Sequence, residues 1–246
     1  TFRTAVVGTG DSPDDPDSDG HAMAYRHAAG YRRLDDCELV ACADIVPENA
    51  EQFADRFGVH AVYEEYERML EETDPDIVSV TVPPAVHAEI VRGCARYGDV
   101  EAVHCEKPMA TTWADCREMT RACEEADVRL TINHQRRVGP TYRRAKELLD
   151  EGAIGRLERV ECSAKNLFDA GTDVFDLAGM FTDQATPEWV LAGLDYREEN
   201  RWFGAHNENQ ALAQWKYDDG VYGLASTGWG TDAIGCDARL TGSDGQ

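Results

Sequence analysis

Three glycines and one aspartate near the start of the chain are of the types a diphosphate- and ribose-binding turn uses, although the third glycine comes later than such a turn needs. Gly8 and Gly10 directly follow a short apolar run, and Gly20 directly precedes a stretch of helical period. A diphosphate approaches the backbone closely only where no Cβ intervenes, and the free N–H groups of a helix start favour an anion. Asp44 lies 24 positions after Gly20, at the end of the next β-rich run "ELVACADIV". A carboxylate there can accept hydrogen bonds from an adenosine ribose diol. No Arg follows Asp44 to hold a 2′-phosphate, so NAD is expected rather than NADP. A lone Gly-x-Gly is more often an ordinary turn, and the pattern gains weight from strand, glycines, helix and strand-end acid coming in that order. Nine residues, five of them Asp, stand between Gly10 and Gly20. They are read as an inserted loop that bulges outward, because closure cost grows only logarithmically with length. Its aspartates would have to point away from the diphosphate.

A second chemistry-bearing position is Lys107, at the end of the β-rich stretch in "VEAVHCEKPMA" and one of only four lysines in the chain. Ligands of open α/β sheets bind outside the carboxyl ends of the strands, so a lysine there faces the cleft. As hydride leaves a secondary alcohol its oxygen gains alkoxide character, which an ammonium stabilises. The bland alternative is a surface lysine paired with an acid. Asp169, Asp173 and Asp176 in "LFDAGTDVFDLAGMF" stand at i, i+4 and i+7 and would share one face if the segment is helical. Clustered carboxylates raise one another's affinity for protons, which would make Asp173, coupled to Asp169, a weak proton acceptor. A solvated acidic face is the competing reading; nothing else completes a metal site, and no metal is expected.

These residues need a scaffold, and the hydrophobic periodicity supplies one. From residue 3 to about 133, strand candidates at 4–8, 38–43, 77–82, 102–105 and 129–132 alternate with helix candidates at 21–34, 47–57, 64–71, 85–97 and 112–126. Such alternation predicts a doubly wound parallel sheet, an α/β Rossmann-type domain over residues 1–133. Beyond it a helix at 140–151 precedes strand candidates at 157–164, 189–196 and 236–240. "ENQALAQWKYDDGVYGLASTGWG" reads as two strands joined at Asp218-Asp219-Gly220. Residues 134–246 are thus expected to form an α+β domain with an open, mainly antiparallel sheet. The chain stops at "RLTGSDGQ" directly after a strand candidate, and a continuation is expected there.

Composition narrows the class. Of 246 residues, 47 are Asp or Glu and 24 Lys or Arg, for a net charge of -23, which would repel nucleic acid. An acid-rich, lysine-poor surface around an ordinary core is read as adaptation to concentrated salt; the alternative is an acidic face on an ordinary cytosolic protein. The eight cysteines show no metal-ligand spacing and are read as small core residues of a reducing compartment. No run approaches 18 apolar residues and no basic leader is present, so a cytoplasmic protein without a membrane partner is expected.

The glycine turn, Asp44, Pro83-Pro84 before a helix carrying His87, Glu106-Lys107-Pro108, "NHQRR" at 133–137 and "LLDEGAIGRLERV" at 148–160 together resemble the glucose-fructose oxidoreductase, inositol dehydrogenase and rhizopine-catabolism (Gfo/Idh/MocA) family. The resemblance spans essentially the whole chain. It implies an NAD(P)-dependent oxidoreductase moving hydride between a nicotinamide and a sugar, cyclitol or related polyol, and a homo-oligomer joined through the C-terminal sheet. It also implies cofactor contacts from Pro83, His87 and Glu106, and substrate contacts from Lys107, Arg137 and Asp169. A structural role remains equally open for His87, and a salt bridge is the plainer reading of Arg137. In the family's sugar and inositol dehydrogenases a His stands four residues after the Asp, and here Asp173 occupies that place. This departure leaves a second reading, a non-catalytic NAD-binding sensor or regulator derived from such an enzyme.

If the charge is an adaptation to salt, the melting temperature rises steeply with KCl. The Debye length falls from about 10 Å at 0.1 M to about 3 Å at 1 M and screens the self-repulsion. A melting temperature independent of KCl sinks that reading.

Overall fold

The computed structural model describes residues 1–14, 23–202 and 204–246; Gly20, the third glycine of the turn, lies outside them. The chain divides into two compact units, Thr1–Asn133 and His134–Gln246.

In the first unit the elements run β1 (Phe2–Val7), α1 (Met23–Tyr31), β2 (Cys37–Ala43), α2 (Pro47–Phe57), β3 (Ala61–Tyr63), α3 (Tyr66–Thr73), β4 (Ile77–Val80), α4 (His87–Cys94), β5 (Ala102–Cys105), α5 (Trp113–Glu125) and β6 (Arg129–Ile132). The six strands are all parallel, in the order β3-β2-β1-β4-β5-β6. The order in which successive strands are added therefore reverses between β1 and β4, which opens a crevice at their carboxyl ends. Strand alternation divides the core: Ala5 and Val7 face one layer with Leu70, Val91 and Met119, while Val6 faces the other with Ala28 and Phe53. The expected strands and helices appear with shifted ends. The helix expected over 85–97 is a 3-10 turn, Pro84–Val86, followed by α4, because Pro83 and Pro84 hold the chain out of the α region at its start. Residues 61–63 were not expected as a strand; three residues carry too little alternation to read.

The second unit contains α6 (Pro140–Asp150), β7 (Leu157–Ala164), α7 (Gly171–Phe181), β8 (Pro187–Asp195), the two-residue strands β9 (Arg201–Trp202) and β10 (Ala205–His206), β11 (Gln210–Tyr217), β12 (Tyr222–Gly228) and β13 (Ala238–Gly242). Its main sheet has the order β13-β7-β12-β11-β8, antiparallel except for the β12–β7 pair. The expected hairpin forms at Gly220, whose φ of +92 suits a residue without a Cβ. One face of the sheet packs on α7 through Val160, Cys162, Trp215 and Ala225 against Val174, Leu177 and Phe181. The other face leaves Leu212 and Tyr222 exposed.

Leu177 is fully buried at the centre of that core. Leu177→Ala is expected to cost about 2–5 kcal/mol of unfolding free energy. Urea denaturation checks this, with the midpoint falling and the slope unchanged.

Candidate functional site

The turn after β1 is shaped by what its glycines lack. Gly8 has φ of +85, and a Cβ on it would lie 2.4 Å from Val82 Cγ1 and 2.8 Å from Val82 N. The backbone of the β1 turn therefore touches the loop after β4. Thr81 fastens the two, its N donating to Val7 O at 2.9 Å and its Oγ1 to Gly8 O at 2.6 Å. Gly10, with φ of +62, has open space where its Cβ would be. A phosphate-binding turn needs such a cradle, tight behind and empty in front.

Asp44, just beyond β2, reaches this turn. Its Oδ2 accepts from Gly10 N at 2.9 Å and Thr9 Oγ1 at 3.2 Å, and its Oδ1 accepts from Val46 N at 2.9 Å. A carboxylate offers about four acceptor sites, so Asp44 organises the glycine turn and keeps capacity for another donor. Of the acidic insert, Asp11 and Asp14 are described: Asp11 is exposed, and Asp14 Oδ2 pairs with Arg56 Nη1 on α2 at 2.5 Å.

At the carboxyl ends of β4 and β5 stand Pro83, His87 and Glu106, the residues expected to contact a cofactor. Pro83 is exposed and starts the 3-10 turn. His87 is fully buried, with Nε2 2.8 Å from Val82 O and Nδ1 3.0 Å from Pro108 O. Burial pushes its pKa below the ordinary histidine value, against the opposing effect of the carbonyls. A neutral ring donates to only one of those carbonyls at a time. The imidazole ties two strand-end loops together from inside, the structural role left open for it in the sequence. Lys107 is half-buried and directly follows Glu106, and the Lys107–Pro108 peptide is cis.

Glu106 is likewise turned inward. His27 Nε2 lies 2.9 Å from its Oε1, Asn133 Nδ2 donates to the same oxygen at 2.6 Å, and Lys107 N donates to Oε2 at 3.3 Å. Burial raises its pKa, but the hydrogen bonds from His27 and Asn133 outweigh this and hold it below the usual glutamate value. His27 Nδ1 lies 2.5 Å from Ser79 Oγ, and the His104 ring meets that of His27 edge-on at 4.8 Å. Burial, and then the neighbouring His27, push His104 below the ordinary histidine value. Sequence reasoning missed His27, Ser79 and His104. A serine inside the apolar strand "IVSV" and a histidine inside "AVHC" were the available signals.

In the second unit α7 begins at Gly171, so Asp169 precedes the helix and does not continue the face of Asp173 and Asp176. Asn166 Oδ1 accepts from the backbone N–H of Asp169 and of Ala170, closing the turn that leads into α7. Asp173 is buried, with Oδ2 3.7 Å from Arg136 Nε. Arg136 Nη1 also meets Asp237 Oδ2 at 2.9 Å. Arg137 grips Asp176 through Nη2–Oδ1 at 2.6 Å and Nε–Oδ2 at 2.9 Å, and these bonds raise its pKa. The plainer salt-bridge reading holds for it.

Among the described residues no group of three or more His, Cys, Asp or Glu is arranged to hold a metal ion, and no helix is long and apolar enough to cross a membrane.

The two glycines separate on mutation. Gly10→Ala costs about 1 kcal/mol of stability, the strain of a left-handed L-residue. Gly8→Ala costs about 3 kcal/mol, because collision with the Val82 backbone adds to that strain. Chemical denaturation of both variants checks the order, which equal losses would contradict.

The family model for Gfo/Idh/MocA oxidoreductases, described as an NAD-binding Rossmann fold, matches residues 2–134. The myo-inositol 2-dehydrogenase of Thermotoga maritima is 26% identical over 174 residues, 70% of this chain and 52% of that protein. The D-apiose dehydrogenase of Paraburkholderia graminis is 32% identical over 168 residues, 68% of this chain and 41% of that protein. The chain thus spans about half the length of the curated relatives it matches. The WlbA dehydrogenase of Bordetella pertussis, solved in complex with NADH and UDP-GlcNAcA, aligns with a TM-score of 0.81 at 21% identity, covering 98% of this chain and 76% of that one. A likeness at that identity shows the shared fold. With more than half of its length matched by the family model, the chain belongs to the Gfo/Idh/MocA oxidoreductase family.

Proposed function

We propose that this protein is an NAD-dependent oxidoreductase that moves hydride between the nicotinamide and a hydroxyl-bearing carbon of a sugar, cyclitol or related polyol. The observation that carries the reading is the glycine turn with Asp44 bonded onto it, at the point where the strand order of a β3-β2-β1-β4-β5-β6 parallel sheet reverses. Gly8 and Gly10 would hold the diphosphate, with Gly20 as the third glycine of the motif, and the spare acceptor capacity of Asp44 would take the ribose diol. The same carboxylate opposes a 2′-phosphate, which favours NAD over NADP. NAD supplies the hydride acceptor when bound.

Lys107 would hold the substrate hydroxyl and stabilise negative charge on its oxygen as the carbon is oxidised. Pro83 and His87 shape the strand-end loops, and Glu106 orients Lys107 from behind. Asp169 and Asp173 are the candidate acceptors for the hydroxyl proton. Arg136 beside Asp173 suits a charged ion-pair partner better than a base, so the acceptor is weak or the role falls to Asp169. The named relatives are dehydrogenases, which does not favour the sensor reading. The outer face of the C-terminal sheet and its edge strand β8, with Trp189 and Leu191 exposed, would join copies of the chain. A cytoplasmic site of action completes the proposal.

NADH fluorescence titration in concentrated KCl, followed by assay on a polyol panel, tests the reading. Lys107→Met is expected to lower kcat about 100- to 1000-fold, the scale of losing one oxyanion donor, while leaving NADH affinity unchanged. Asp173→His raises turnover; full activity in Asp173→Asn removes Asp173 as the acceptor. Absence of NADH binding by the wild-type chain defeats the proposal.

A further inference from the structure

We propose that His27 is a positioning residue for Lys107, acting through Glu106; the inference rests on the reading of Lys107 given above. The Glu106 side chain is 9% exposed and that of His27 is 7% exposed, so neither relies on water for its hydrogen bonds. A buried carboxylate is tolerated only where donors surround it. Here His27 Nε2 and Asn133 Nδ2 converge on Oε1, at 2.9 and 2.6 Å, and leave Oε2 for the backbone N–H of Lys107 at 3.3 Å.

An ionised carboxylate has no proton to donate, so the proton of the His27–Glu106 bond sits on Nε2. The ring is then located at its other nitrogen by Ser79 Oγ, 2.5 Å away on β4, and on its edge by His104 of β5. One imidazole thereby joins α1, β4 and β5, and Asn133 draws in the residue just past β6. Every bond in this set fixes the rotamer of Glu106, and that rotamer decides whether Oε2 reaches the Lys107 N–H. Without His27 the carboxylate loses one of the two donors on Oε1 and gains freedom to swing away. The peptide that carries Lys107 then loses its hold. Among the described residues, neither Gly8, Gly10 nor Asp44 bonds to this cluster, so cofactor binding and Lys107 placement separate experimentally.

Four lysines in the whole chain make Lys107 readable by itself. The full chain is treated with acetic anhydride, and acylation of Lys107 is followed by peptide mass spectrometry, with Lys216 as the internal reference. His27→Ala is expected to change the Lys107-to-Lys216 rate ratio about fivefold, the scale of one hydrogen bond. His27→Gln, whose amide N–H replaces the donor, is expected to stay within about twofold of wild type. A purely structural role would lower the melting temperature of both variants and leave the ratio alone. Should His27→Ala fail to fold, Asn133→Ala removes the other donor and should move the ratio in the same direction. An unchanged ratio in the folded variants, or equal shifts in His27→Ala and His27→Gln, overturns the proposal. Failure of the wild-type chain to bind NADH would instead remove the cofactor reading, and the acylation ratio would still report on His27.

Discussion

The approach of Gly8 to Val82 is the constraint on which the first unit depends. Two parallel strands whose following loops diverge leave a crevice, and the crevice is usable only if its floor is backbone. At residue 8 the floor is closed to 2.4 Å from where a Cβ would stand, and Thr81 binds the two sides together. The same contact sets where Gly10 and Asp44 meet. The acid thus does two jobs with one group: it orders the turn through Oδ2 and Val46 through Oδ1, and it presents negative charge where a ribose diol would arrive.

Behind this edge the protein spends burial on polar groups, which is informative because burying them is costly. Ser79, His27, His104, Glu106 and Asn133 form a cluster in which each polar group faces another. His87 does the same work nearby by facing the carbonyls of Val82 and Pro108. Both features sit at the carboxyl ends of β4 and β5 and flank Lys107 in sequence or in space. The role proposed for Lys107 requires rigid support behind it, since a donor that reorganises during reaction forfeits most of its effect.

The second unit solves a different problem. Asp173, at the place where the resemblance led to an expected histidine, has an arginine beside it. Arg136 stands beside Asp173 and also binds Asp237, while Arg137 neutralises Asp176. In a chain of net charge -23 such arginines are scarce relative to acids. Their placement on two acids compensates the charge of α7.

Much of the architecture was legible in the sequence because it rests on local periodicity. Alternating apolar residues name a strand, a 3.6-residue recurrence names a helix, and their order names the parallel sheet. Gly8, Gly10 and Asp44 were legible too, because their chemistry depends on position at strand ends. The three-residue β3 was not, having too few residues to show a period. Tertiary structure alone decided what the polar side chains do. His27 meets a partner 79 positions away in Glu106, and Arg137 one 39 positions away in Asp176. Whether a histidine seals a core, orients a neighbour or faces a ligand depends on which distant groups surround it, and only folding brings those groups within hydrogen-bond range.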